Sequence, residues 1–394
     1  MMNMNYTIEN IPSRIQFIKN LLVGKLVTPM INIKDNIWQD NIIHNSTDIR
    51  KIIPKKNFNF NIIINQIGGK LLYIKSGSTG HTFKGLYLKD KQKPSYAVKI
   101  VAYPKKEHYG DLYDVSRPEN AELIMLRILS PFVTKNQTPH IVLPICTFNT
   151  SIKTFVSLPK NNIVNNKKFD NFVKKYKKNE YYPNVSVLIS EWANSGDLLD
   201  YFRKNYINLS LLEWRVIFFQ LISVLAVIHE KYPAFRHNDL KANNILVHKV
   251  TKKKKNNKFL YKINGIKYII PNIGIKIKLW DFDFACIPGI VNNSKVNAKW
   301  TTKINIKPER NQYYDIHYFF NTLTRKGFIP DLLTNKYISY KVKKFISRIV
   351  PEKYKKIPNV AERGRLLIND EYLTANQIIS SDPFFQCFRI TDNK

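Results

Sequence analysis

The stretch from Arg236 to Val247 constrains the fold of this 394-residue chain more than any other. It places Asp239, Lys241 and Asn244 at fixed offsets, directly before an apolar run that predicts a strand. The preceding residues 210–230 are apolar on nearly all sides, which predicts a long helix at the centre of a helical domain. We therefore expect a polar loop that connects this helix to the start of a buried strand.

The spacing of these polar side chains resembles the kinase pattern H-R-D-x-x-x-x-N, which is typical of phosphoryl transfer, and that resemblance implies a role for each of them. Asp239 is expected to accept the proton of an attacking hydroxyl, and Lys241 to stabilise the negative charge that leaves a nucleotide. Asn244 is expected to hold a metal ion. The structural alternative, a buried aspartate in an ordinary helix-to-strand loop, explains one of these residues but not all three.

Length and composition favour two domains in a reducing compartment. The chain is longer than one core usually covers, and 44% of its residues are hydrophobic. The cysteines, Cys146, Cys286 and Cys387, lie far apart, which argues against a disulfide framework or a zinc site. The longest apolar run, residues 218–228, is too short to span a bilayer, and no charged-then-apolar leader opens the chain. Neither a secretion signal nor a transmembrane segment is therefore expected.

The net charge of +34 predicts attraction to anionic partners. The charge is compatible with three classes of partner: acidic proteins, nucleic acid and anionic membranes. The chain is also rich in Lys, Asn and Ile, so the compositional bias of an AT-rich genome is an alternative source of the charge. Base-specific recognition is not expected, because the sequence has no zinc finger, no heptads with a basic region and no aromatic RNA-binding signature.

Residues 1–60 are predicted to form a basic extension that contains one helix. Asn10 can cap this helix, and apolar residues recur at helical spacing from Ile15 to Leu22. We expect the apolar face to pack on a domain, with an amphipathic membrane anchor as the alternative.

Residues 61–193 are predicted to form a smaller domain of strands. β-like runs at 61–67 and 71–75 precede the loop Gly77-Ser78-Thr79-Gly80, whose backbone amides can close over phosphates. The polar residues 151–184 are interpreted as an insertion.

The next strand of this domain, Tyr96 to Ile100, carries Lys99. A buried lysine needs a carboxylate to stay charged and oriented. The helix predicted over 118–129 supplies Glu122, with Glu119 as the alternative partner.

Residues 194–388 are predicted to form a larger domain, with an insertion at about 249–274 that contains the basic run Lys252–Lys255. A strand at 275–279 follows and leads into Asp281. The residues around Asp281 resemble the kinase motif D-F-G, and by that resemblance Asp281 is the expected magnesium ligand, a hard carboxylate for a hard cation.

Over about residues 62–385 these motifs resemble those of eukaryotic-type serine/threonine protein kinases. The loop at Asp239 resembles H-R-D-x-x-x-x-N, and Tyr96–Ile100 resembles V-A-I-K. Trp280–Phe284 resembles D-F-G with Asp283 in place of the glycine. The Asn-Asp-Leu-Lys loop, the Asp-Phe-Asp-Phe motif, the missing A-P-E and the helix opening at Tyr313–Phe320 resemble, more narrowly, the kinases of large cytoplasmic DNA viruses of the poxvirus and iridovirus type.

The resemblance implies an α+β, bilobal protein-kinase-like fold, with a small antiparallel-sheet N-lobe containing one helix and a larger, mainly helical C-lobe. It implies ATP and Mg²⁺ as cofactors, with Mn²⁺ as an alternative metal, and protein substrates, of which the net charge favours acidic ones. It also implies a place in the host cytoplasm and in the virus particle.

By the same resemblance, adenine is expected on the backbone of Glu191 and Ala193, and Ala97 is expected at the nucleotide site. Asp197 is expected to bind ribose, although it can also cap the helix that follows. Asp315 is expected to hold the catalytic loop from beneath.

Two other functions stay open. A small-molecule kinase of the choline or aminoglycoside type has a similar H-N-D loop, but Lys241 and the closing Asp-Pro-Phe-Phe at 382–385 favour a protein kinase. An inert scaffold or a basic nucleic-acid-binding protein would be expected to have lost at least one of the key polar residues. All are present: Lys99, Glu122, Asp239, Asn244 and Asp281.

Overall fold

The computed structural model describes residues 10–31, 45–77, 80–87, 94–159, 164, 166–250, 257–361 and 363–390. The chain forms two compact units. The first comprises Met1–Thr134 and Val142–Trp192, and the second comprises Lys135–Ile141 and Ala193–Lys394. The basic run Lys252–Lys255 lies outside the described residues.

A five-stranded antiparallel sheet forms the framework of the first unit, in the order β1-β2-β3-β5-β4. Its strands are β1 (Lys70–Ser76), β2 (Gly80–Leu86), β3 (Tyr96–Pro104), β4 (Pro144–Ser151) and β5 (Tyr181–Glu191). Because β3 lies between β2 and β5, Lys99 is carried by an internal strand.

The first unit contains more helices than the one that the resemblance implied. They are α1 (Ile11–Leu22), α2 (Phe60–Ile67), α3 (Pro118–Thr134), α4 (Lys153–Val156) and α5 (Lys167–Lys177). The helix predicted in residues 1–60 is confirmed as α1, which Asn10 caps through a hydrogen bond from Ser13 N–H. Its apolar face, including Phe17 and Ile18, is buried within this unit.

The β-like run predicted at residues 61–67 is wrong, because these residues form α2. The side chain of Asn59 accepts hydrogen bonds from the N–H groups of Asn61 and Ile62 and so caps the helix. Buried side chains recur at helical spacing: Phe60, Ile63, Ile64 and Ile67. β-branched isoleucines favour strands, and the run of three hid this period.

The segment interpreted as an insertion at 151–184 packs on β2. Phe169 and Phe172 of α5 are buried, with ring centroids 5.6 and 4.7 Å from that of His81. Burial among these rings lowers the pKa of His81 to about 4. The segment therefore completes the core on one side of β2.

The second unit is mainly helical. Its helices are α6 (Leu198–Asn205), α7 (Leu211–Lys231), α8 (Lys299–Thr302), α9 (Tyr314–Leu323), α10 (Tyr340–Ile349) and α11 (Ala375–Ser381). Two antiparallel strand pairs accompany them: β6 (Ile245–Lys249) with β9 (Ile275–Leu279), and β7 (Lys258–Ile263) with β8 (Ile266–Pro271). Together the two units confirm the predicted α+β class.

Helix α7 is the one helix among the described residues that is long and apolar enough to cross a membrane. However, 78% of its most apolar 18-residue window is buried by the surrounding protein. Ser210 and Glu213 form a capping box at its start, and Trp214 and Phe218 are fully buried. Because α7 is buried to this extent, it is a core helix, as the sequence predicted.

The β6–β9 pair sets the geometry of the polar loop. Ile245 pairs with Leu279, so the residues before β6 and those after β9 lie at the same end of the pair. The backbone N–H of Trp280 donates to the carbonyl of Asn244 over 3.3 Å. This pairing holds the two predicted motifs of the second unit side by side.

Candidate active site

Asp239 lies at the centre of a cluster formed by the loop before β6. Lys241 Nζ lies 2.9 Å from Asp239 Oδ2, and Asn244 Nδ2 donates to the same oxygen over 2.8 Å. Asn244 also donates to the backbone carbonyl of Asp239 over 2.9 Å, because the short 3₁₀ turn Ala242–Asn244 folds the loop back. The structure thus brings together the three polar residues whose spacing predicted phosphoryl transfer.

Asp315 on α9 anchors this loop from beneath, as the resemblance implied. Its buried carboxylate accepts the backbone N–H of His237 over 2.6 Å and that of Asn238 over 2.9 Å. Burial raises the pKa of Asp315, while His237, Arg236 and the two amide donors act in the opposite direction. Asn238 adopts a left-handed φ of +62°, which asparagine tolerates better than most residues.

Arg365 is the residue at this site that sequence reasoning missed. Its guanidinium donates to Asp239 Oδ1 and to the carbonyl of Asn238, and it lies 4.2 Å from the ring centroid of Tyr318. The side chain of Arg365 is 9% exposed and that of Asp239 is 12% exposed. In a chain with 63 Lys and Arg residues, no sequence pattern distinguishes this arginine from the others.

The predicted metal motif, residues 281–284, follows β9. Asp281 has a left-handed φ of +65°, a conformation that costs an ordinary residue about 1–3 kcal/mol and that concentrates at functional sites. On either side of it, the Trp280 carbonyl accepts from His237 Nε2 at 3.0 Å, and the ring of Phe282 packs 5.1 Å from that of His237. The backbone around Asp281 is therefore tied to the catalytic loop.

Asn244 and Asp281 are the predicted Mg²⁺ ligands, and both carry side-chain oxygen atoms of the kind that Mg²⁺ prefers. Because Asn244 donates its amide N–H groups to Asp239, its carbonyl Oδ1 is the ligand atom that it offers. Magnesium is usually held by one or two carboxylates together with substrate phosphates. Within the described part of the chain, no group of three or more His, Cys, Asp or Glu residues could hold a metal.

Asp283, which replaces the glycine of D-F-G, pairs with Lys295. The ammonium of Lys295 also lies 4.1 Å from the ring centroid of Phe284. Asn293 Nδ2 donates to the backbone carbonyl of Asp283 over 3.0 Å. These contacts fix the segment that follows the metal motif.

The first unit carries the predicted lysine pair. Lys99 Nζ lies 2.6 Å from Glu122 Oε1, so the predicted partner is the one observed. The alternative partner, Glu119, pairs instead with Arg117 at 3.0 Å. The Lys99 side chain is 19% exposed, so it remains accessible to a bound anion.

The glycine-rich turn joins β1 to β2. Gly77 N–H donates to the carbonyl of Gly80 over 2.7 Å. A Cβ on Gly80 would lie 1.7 Å from the carbonyl oxygen of Ile100, so only glycine fits there. Ser78 and Thr79 lie outside the described residues, and their predicted phosphate contacts stay predictions.

The side chain of Glu191, at the end of β5, is used within the first unit. Its carboxylate accepts from Arg14 Nη2 at 2.5 Å, from Arg14 Nε at 2.9 Å and from Leu143 N–H at 2.7 Å. The predicted contact of Glu191 with adenine involves its backbone, so these side-chain contacts leave that prediction unchanged. No sequence pattern predicted the contact with Arg14, which lies 177 positions away.

The remaining predicted nucleotide-site residues occupy ordered positions. Ala97 lies on β3 opposite Ser190 of β5, and Ala193 is buried in the second unit. Asp197 caps α6 by accepting the N–H of Asp200 at 2.9 Å, as the structural alternative predicted. Binding of ribose and adenine at these positions stays a prediction.

Comparison with known proteins identifies the family. The model of the poxvirus serine/threonine protein kinases matches residues 112–373, more than half of the chain. A candidate serine/threonine-protein kinase of Acanthamoeba polyphaga mimivirus is 46% identical over 385 residues, which cover 96% of this chain and 80% of the relative. Serine/threonine-protein kinase 2 of variola virus is 34% identical over 119 residues, which cover 29% of this chain and 24% of that kinase. A second mimivirus candidate kinase is 35% identical over 103 residues, 26% of each chain. The chain belongs to the poxvirus family of serine/threonine protein kinases.

Proposed function

We propose that the protein transfers the γ-phosphoryl group of ATP to serine and threonine hydroxyls of other proteins. The observation that carries this proposal is the Asp239 carboxylate, held by Lys241 and Asn244 on a loop that Asp315 anchors. Phosphoryl transfer needs little covalent chemistry from the protein, so catalysis depends on positioning and on charge stabilisation. A rigid carboxylate with a cation 2.9 Å away supplies both.

Each polar group has a role in this proposal. Asp239 orients the substrate hydroxyl and accepts its proton, and Lys241 stabilises the charge on the transferred phosphoryl group. Lys99, oriented by Glu122, binds the α- and β-phosphates.

Magnesium bound with the nucleotide would neutralise charge on the phosphates. Asn244 and Asp281 offer the oxygen ligands for this metal. Manganese suits the same oxygen donors. We also propose that backbone amides between Gly77 and Gly80 contact the phosphates, as the spacing of the two glycines predicts.

Protein substrates are favoured over small alcohols. This inference rests on Lys241, because small-molecule kinases of the choline type lack a lysine two positions after the catalytic aspartate. Membership in a family of protein kinases supports the same choice.

The direct test is an incubation with labelled ATP and Mg²⁺ beside casein, choline and DNA as acceptors. We expect label on serine and threonine of casein alone. Lys99→Met should lose this activity, whereas Lys70→Met, the same change at an exposed position of β1, should retain it. Label on choline would support the small-molecule alternative, and label on none of the acceptors would contradict the proposal.

We also propose that the protein acts in the host cytoplasm and enters the virus particle. This proposal rests on the resemblance to poxvirus-type kinases alone. Mass spectrometry of purified particles tests it, since absence of the protein from them would contradict the second part.

A further inference from the structure

A cavity of about 520 Å³ opens in the second unit beside the catalytic loop. Lys241 and Asn243 of that loop line one part of it, and Tyr318 of α9 lines another. Arg325 and Lys326, from the turn after α9, line a third part, together with Arg363. Of the described lining residues, four are cationic and none is acidic.

The cations of this cavity lie on anchored segments. Arg325 Nη2 donates to the carbonyl of Lys355 over 2.9 Å, which fixes the turn after α9. Asn321 Nδ2 donates to the carbonyl of Gly364 over 2.9 Å, which fixes the loop of Arg363. A Cβ on Gly364 would lie 2.8 Å from Arg325 Nε, so the two segments are in close contact. The positive charges are therefore concentrated at one place in the fold.

Two links join the cavity to the catalytic carboxylate. Lys241 lines the cavity and also lies 2.9 Å from Asp239 Oδ2. Arg363 is two residues from Arg365, which contacts Asp239 Oδ1, and two residues of chain span at most about 7 Å. A group bound in the cavity would thus lie within a few residues of a hydroxyl placed at Asp239.

We propose that this cavity binds an anionic side chain of the protein substrate, close in sequence to the serine or threonine that is phosphorylated. The proposal rests on the proposed kinase function and adds a substrate class to it. Carboxylates and phosphate groups share the chemistry that Arg and Lys recognise, so glutamate, aspartate and phosphoserine all qualify. Attraction by Arg325, Lys326 and Arg363 lowers the KM of such substrates, since the contact is made before chemistry as well as during it.

The test uses three kinds of one serine peptide. The first is neutral. The second is a series with a single glutamate placed in turn at each position within four residues of the serine, and the third is the same series with phosphoserine instead of glutamate. We expect wild type to favour the best acidic peptide over the neutral one by roughly tenfold in kcat/KM, the size of one charge-assisted hydrogen bond. In the double variant Lys326→Glu, Arg363→Glu this ratio should fall to about one, mainly through KM.

The double variant Lys341→Glu, Lys344→Glu on α10 is the matched control, because it makes the same charge change at two exposed residues that do not line the cavity. It should keep the wild-type ratio. Melting temperatures of all variants identify any that fail to fold, and Lys326→Ala, a milder change at an exposed position, gives a second measure of the ratio. A phosphoserine peptide that outperforms the glutamate peptide would identify phosphate as the preferred group.

Each remaining outcome bears on one claim. If wild type phosphorylates neutral and acidic peptides equally, or if the double variant keeps the wild-type ratio, the cavity does not select acidic substrates. If wild type phosphorylates none of the peptides and no casein, the proposed kinase function fails, and this inference fails with it.

Discussion

The contact of Arg365 with Asp239 predicts a loss of stability when Arg365 is replaced. The burial of the pair sets the size of the expected loss in the free energy of unfolding. Replacement by methionine keeps the length of the side chain but removes the guanidinium. Loss of one partner of a buried ion pair costs about 3–5 kcal/mol, because the other charge stays buried. Asp239 keeps Lys241 and Asn244 as partners, so we expect the lower end, about 3 kcal/mol. For a unit of this size that corresponds to a drop in Tm of about 6–12 °C.

Urea unfolding at pH 7 measures the effect, with a double-mutant cycle to isolate the pair. In the background of Asp239→Asn the buried charge is absent, so Arg365→Met should cost at least about 1.5 kcal/mol less than in wild type. Arg363→Met is the control, since the residue is exposed and the change should stay within about 0.5 kcal/mol. Equal losses in both backgrounds would show that Arg365 contributes through packing and not through Asp239.

Three further predictions concern the metal, a buried lysine and activation. Asp281→Ala should abolish magnesium-dependent ATP binding in calorimetry, and equally tight binding would mean that the motif is misassigned. Burial lowers the pKa of Lys55 from 10.5 to about 7, so between these values the unfolded state binds more protons and stability should rise with pH. Between these two pH values, the free energy of unfolding of wild type minus that of Lys55→Met should rise by at most about 1.4 kcal/mol per pH unit. A difference that does not change with pH would contradict the burial of Lys55. Phosphatase-treated protein should phosphorylate casein as fast as untreated protein, because Asn238 lacks a guanidinium and Arg236 is committed to the carbonyls of Asn305 and Glu309. A tenfold drop, restored by ATP, would reveal an activation switch.

Local spacing predicted much of the catalytic loop. The offsets of Asp239, Lys241 and Asn244 fix their grouping, because a short turn before a strand brings such residues together. The partner of Lys99 could also be predicted, since a buried lysine needs a carboxylate and a helix supplied one at Glu122.

Long-range contacts could not be predicted in this way. Arg365 reaches Asp239 across 126 positions, and Arg14 reaches Glu191 across 177. Such pairs depend on how separate segments pack, and a single sequence carries no pattern for them. The error at residues 61–67 has a different cause, because there the helical period was present but the β-branched composition outweighed it.

The central claim is that Asp239 is the group that orients the substrate hydroxyl and accepts its proton. The most direct test compares wild type with Asp239→Asn in single-turnover transfer from labelled ATP to casein, with ATP affinity measured in parallel. Loss of the carboxylate should reduce the rate about 10²- to 10⁴-fold, or about 3–5 kcal/mol, while ATP binding persists, because the residues assigned to the phosphates are intact. A variant that keeps more than half of the wild-type rate would contradict the assignment.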